Sequence, residues 1–183
     1  MKNALIVLII VLLFTGCEQD KTAFEYEQEV YGNILEYLGE GEEKQWVVLL
    51  TSVTENRISA ISGDNRKEDV EAYQAYKEKN KERKLLPITD SWKKNVKILT
   101  DNEYKDIFKY KTLELGWEKY YKKYPKSNGI IGFSRVGFNT NYNEAFVYVE
   151  YLCGALCGRG FHARLHRGVL GWEVKVFEQL WVS

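Results

Sequence analysis

The sequence predicts an α+β fold, a single domain in which N-terminal helices pack on a mainly antiparallel sheet that ends in a C-terminal four-strand meander. Three observations carry this reading. Before Pro125 the apolar residues of several segments keep helical spacing, whereas from Gly129 onward they alternate with period two. The joints between the later runs are short and rich in turn formers. Short joints suit antiparallel hairpins, because parallel neighbours need a long crossover. Helices early and a meander late place the helices on one face of the sheet.

The elements follow in order. From Phe24 to Leu38, Tyr31, Ile34, Leu35 and Leu38 mark one helical face, and Gly39-Glu40-Gly41 ends it. Trp46 to Val53 is an unbroken β-prone run and reads as a buried strand, and Ser62-Gly63-Asp64-Asn65 reads as a turn. Glu68 to Arg83 is a charged helix with a thin stripe of Val70, Tyr73 and Tyr76. Val96 to Leu99 is a short strand, and Thr100-x-x-Glu103 is a capping box opening a helix through Phe108. In Leu113 to Tyr124, the aromatics Trp117, Tyr120, Tyr121 and Tyr124 fall at i, i+3, i+4 and i+7 while the lysines lie on other faces. That spacing fits a helix packing on the sheet better than an aromatic platform for a ligand, and Pro125 closes it. The four late strands are Ile130 to Phe138, Ala145 to Leu152, Phe161 to His166 and Trp172 to Phe177, joined by turns at 139–143 and 167–171 and by a loop from Cys153 to Gly160.

The first seventeen residues carry the clearest functional signal. Lys2 is followed by an apolar run from Ala4 to Phe14 and by Thr15-Gly16-Cys17. The run has the length of a signal-peptide core and falls short of the about 20 residues that span a bilayer. These residues resemble the lipobox of bacterial lipoproteins. In that family the cysteine matching Cys17 is diacylated on sulfur, with chains such as palmitate, and becomes the mature N-terminus. The resemblance divides the chain into a signal peptide (1–16), a lipidated cysteine with a short tether (17–23) and the domain (24–183). It implies a cell-envelope protein held on a membrane by lipid, the outer membrane being favoured by Glu18 if the source has one. The 26 basic and 26 acidic side chains balance, which argues against a nucleic-acid partner. The expected partners are the membrane and, as a candidate, another envelope protein.

The stretches Gly129-Ile-Ile-Gly-Phe-Ser-Arg-Val-Gly-Phe-Asn139, Ala145-Phe-Val-Tyr-Val149, Cys153-Gly…Cys157-Gly-x-Gly160, Gly171-Trp-x-Val174 and Leu180-Trp-Val-Ser183 form a further pattern. This pattern resembles an uncharacterised family of exported bacterial proteins, most clearly over residues 117–183. The resemblance implies one exported domain with a β-rich C-terminus, and it implies no activity, cofactor or catalytic residue.

Candidate chemistry clusters in the last third. With Cys17 acylated, Cys153 and Cys157 remain as an even pair in an oxidising compartment, so they are expected to form a disulfide. The alternative joins Cys153, Cys157, His162 and His166 around Zn or Cu(I), as a metal-handling or redox lipoprotein. On a strand Phe161, Ala163 and Leu165 point one way and His162, Arg164 and His166 the other, an apolar-in, polar-out alternation in which Arg164 repels a dication. The disulfide is therefore favoured, with no cofactor expected. A second alternative is a hydrolase with His162 or His166 as general base, oriented by Glu150 or Glu144, and with Arg164 on an anion. No nucleophile elbow, HExxH or phosphate loop accompanies them. Arg135 shares a strand face with Phe133 and is either a cation in a pocket or one half of an ion pair, the pair being favoured because a lone buried charge is costly. Arg135, His162, Arg164 and His166 are the candidate binding residues, no catalytic residue is assigned, and the favoured reading is a non-catalytic binding or assembly module.

Overall fold

The computed structural model describes residues 21–39, 45–53, 70–88 and 95–183. The signal peptide, Cys17 with residues 18–20, and the turn expected at Ser62 to Asn65 lie outside the described residues. Four helices and seven strands alternate along the chain: α1 (Ala23–Gly39), β1 (Gln45–Leu49), α2 (Val70–Lys79), β2 (Val96–Leu99), α3 (Asp101–Ile107), α4 (Leu113–Lys123), β3 (Ser127–Phe133), β4 (Gly137–Phe138), β5 (Glu144–Gly154), β6 (Cys157–Gly168) and β7 (Gly171–Val182). They form an α+β domain on one open sheet of order β2-β1-β3-β5-β6-β7, with β4 also paired to β5. Four of the six strand pairings among the described residues are antiparallel, and β1 is parallel to both its neighbours. Among the described residues no helix is long and apolar enough to cross a membrane.

The helices cover both faces of the sheet, not one. On the first face α1 lays Val30, Tyr31, Ile34 and Leu35 against Val48, Ile131, Phe133, Val147, Val149, Ala163 and Leu165. On the second, α3 and α4 bury Ile107, Trp117, Tyr120 and Tyr124 against Val47, Leu49, Leu99 and Ile130. Further along that face α2 sets Ala72 and Tyr76 on Phe146 and Tyr148. The run Ala145-Phe146-Val147-Tyr148-Val149 is apolar at every position and buried at every position, as a strand covered on both sides requires. The capping box of α3 forms as expected, with Thr100 accepting from the Glu103 N–H and the Glu103 carboxylate accepting from the Thr100 N–H.

Four boundaries differ from the sequence expectation, one being the last strand, which runs to Val182 instead of Phe177. The Trp46 run leaves the ladder after Leu49, where Leu86 N–H donates to the Leu50 carbonyl and Thr51 bridges Leu85. The expected strand from Ile130 to Phe138 breaks at 134–136 into β3 and β4. Phe133 pairs Val149 and Gly137 pairs Phe146, so one extra residue is bulged out against the same partner strand. Ser134 maintains the ladder there, its hydroxyl accepting from the Tyr148 N–H at 2.9 Å. Finally, the expected Cys153 to Gly160 loop is mostly strand, reduced to a turn at Ala155-Leu156.

Candidate functional site

Strand β6 has a two-residue turn at each end, and the candidate residues other than Arg135 and Cys153 lie along it. At one end Cys153 and Cys157 are disulfide-bonded across the β5–β6 turn, with Cα atoms 5.0 Å apart. The Tyr121 hydroxyl donates to the Cys153 carbonyl at 2.8 Å, and Gly158 and Ser183 exchange backbone hydrogen bonds, so both sides of the turn are braced. The indole of Trp181 lies over Gly158 and Gly160. A Cβ at Gly160 would overlap it, and its Nε1–H donates to the Tyr148 hydroxyl at 2.9 Å. The glycines of the Cys157-Gly-x-Gly160 motif thus make room for an aromatic ring. Leu156 projects from the closed turn, 88% exposed.

The metal alternative requires Cys157, His162 and His166 to converge, and β6 holds them apart. His162 lies five residue steps along the strand from Cys157, about 16 Å at the usual rise, and His166 four steps further on. Both sulfurs are also consumed by the disulfide. Among the described residues no three His, Cys, Asp or Glu side chains gather in metal-binding geometry.

The His-Arg-His strand departs from the expected polar-out face. Because α2 covers that side, His162 is buried, its ring 4.7 Å from Phe146 and 6.1 Å from both Tyr76 and Tyr148. Its Nε2 has no hydrogen-bond partner among the described residues, and burial pushes its pKa down to about 4. Glu150 does not orient it; that carboxylate faces the Tyr148 hydroxyl at 3.5 Å. His166, past the helix and half-exposed, meets its cross-strand neighbour Glu144 at 2.5 Å through Nδ1. Arg164 stands between the two histidines, opposite Phe146 and Val176. The two imidazoles are four strand residues apart, about 13 Å, and do not share a site.

Arg135 sits in the break between β3 and β4 and forks onto Glu27, with Nε at 2.7 Å and Nη2 at 3.1 Å from its two oxygens. Glu27 is buried in α1 and also takes Lys79 of α2 at 3.2 Å. The Tyr31 hydroxyl lies between Glu27 Oε2 at 3.2 Å and the Ser134 carbonyl at 2.9 Å. Asn80 pairs with the Arg135 backbone at 2.8 Å in both directions. The bulge therefore opens a gap in the sheet through which helices on opposite faces reach one carboxylate. Breaking such a buried pair from one side costs about 3–5 kcal/mol, because the remaining charge is left uncompensated. Sequence reasoning missed Glu27, although it lies one step back on the apolar stripe of Tyr31, Ile34 and Leu38. The four candidate binding residues thus fall in three separate environments. No protein-family model, curated protein or solved structure matches the chain.

Proposed function

We propose that the protein is a lipid-anchored envelope lipoprotein whose folded body is a non-catalytic binding module, offering the disulfide-closed turn to another envelope protein. The observation that carries the binding reading is Leu156, a large apolar side chain held out in water on a turn braced by Cys153–Cys157, Tyr121 and Ser183. A rigid turn loses little conformational entropy on docking, and an apolar tip gains by leaving water. The anchoring half rests on the lipobox pattern ending at Cys17. Two or more acyl chains hold a protein stably on a bilayer, whereas one does so marginally.

The test uses the full chain expressed in a bacterium. Intact mass should show acyl groups on Cys17, and Cys17→Ser should release the protein from membranes. A photo-crosslinker at position 156 should capture one defined envelope protein that a crosslinker at Lys105 does not, and reduction of the disulfide should weaken that capture. An unmodified Cys17 removes the anchoring, and equal capture from both positions removes the binding turn.

One contact favours a second reading: Glu144 on His166 Nδ1 is the arrangement that orients an imidazole as general base. It predicts a hydrolytic activity that His166→Ala abolishes while the fold is retained; an unchanged rate in that variant removes it.

A further inference from the structure

We infer that the β6–β7 turn, Val169-Leu170, together with Phe24, enters the surface of the same bilayer that receives the acyl chains on Cys17. The inference rests on the anchoring reading and adds to it a second, protein-borne membrane contact with a definite place in the fold.

Val169 and Leu170 are fully exposed at the tip of a two-residue turn between Gly168 and Gly171, where turn chemistry ordinarily places polar residues. A Cβ at either glycine would meet nothing within 4 Å, so no described atom crowds the turn. The base of this hairpin is clamped to the start of α1. The Arg167 guanidinium lies 4.6 Å over the Tyr26 ring and donates to its hydroxyl, and Trp172 meets the same ring edge-on at 6.2 Å. Phe24, in the first turn of α1, is half exposed at this end.

Chain length then places the membrane. Lys21 is four residues from Cys17, a reach of at most about 14 Å for fully extended chain. An acylated Cys17 therefore holds the start of α1, and the hairpin clamped to it, at the bilayer surface. Two adjacent aliphatic side chains and an aromatic ring suit the shallow boundary between headgroups and acyl chains. Arg167 puts a cationic group at headgroup depth, and the charge of Lys21 there is balanced by Glu29. The disulfide-closed turn lies at the other end of β6, a strand of 12 residues, and so points away from the membrane by about 40 Å.

The experiment uses the full-length chain, reconstituted in vesicles of phosphatidylethanolamine and phosphatidylglycerol. A nitroxide is attached at Val169→Cys and, separately, at Leu170→Cys and at Lys126→Cys next to the start of β3. Collision with oxygen, which concentrates in the bilayer, is compared with collision with a water-soluble nickel chelate, and intact mass of the same samples reads acylation of Cys17. The expected result is an acylated protein whose labels at 169 and 170 favour oxygen several-fold over the label at 126. Acylated protein with labels at 169 and 170 as open to nickel as the label at 126 overturns the inference and leaves the anchoring standing. Labels at 169 and 170 shielded from both reagents mean that protein covers the turn, which also overturns it. An unmodified Cys17 overturns the anchoring reading and this inference with it.

Discussion

Burial alone lowers the pKa of His162 to about 4, because the rings of Phe146, Tyr76 and Tyr148 replace the water that would solvate an imidazolium. The unfolded chain takes up a proton near the usual value of about 6.5. Between those two values the unfolded state binds the extra proton, so stability is complete above pH 6.5 and falls as pH drops through 4. For this residue the loss between pH 7 and pH 5 comes to about 2 kcal/mol. His162→Phe should keep the ring packing and remove that loss, which urea titrations of both proteins at the two pH values would measure. If the variant loses as much stability as the parent on acidification, the burial argument for His162 is wrong. Glu27, also buried, differs from His162 in its surroundings, since Arg135, Tyr31 and Lys79 all reach its carboxylate.

The late strands and the four helices were legible from period and capping, because each rule involved is local. The departures came where packing overrides local preference. The bulge at 134–136 depends on Tyr31 and Asn80, partners more than fifty residues away that no window of sequence contains. The covered second face was written in Phe146 and Tyr148, which a strand with one wet face would not hold in series with Val147 and Val149. Helix α2 docks so closely on β4 that a Cβ at Gly137 would run into the backbone of Ala72 and Tyr76. Gly137→Ala should push the helix off the sheet and lower stability by about 1–3 kcal/mol, with increased exchange of the α2 amides. At the other end, a five-residue ring accounts for about 2 kcal/mol in the chain-entropy picture, so reduction should loosen the β5–β6 turn without unfolding the domain.

Across the whole molecule, first and last elements depend on one another. The face of α1 is buried largely by β5, β6 and β7, with Tyr37 of α1 packed on Phe177 at 5.1 Å. Among the described residues, the parallel pair β1 and β2 in turn joins the sheet through β3 alone. A chain ending at Leu170 should therefore lose cooperative unfolding altogether, not just the thirteen residues that it lacks, as circular dichroism on heating would show. The site was less legible than the fold for a related reason. Arg135, His162 and His166 look alike as polar residues on strands, and only the helices laid over them decide which is paired, dry or wet.

That dependence of α1 on the final strands has a consequence for a chain threaded through a membrane with its N-terminus leading. The emerging α1 meets only part of its surface, Val48 of β1 and then Ile131 and Phe133 of β3, before β5, β6 and β7 complete it, and β1 finds no neighbour on its β3 side until residue 127 is out. For a chain delivered in that order, the fold would be completed by its last strands, through contacts between distant parts of the chain.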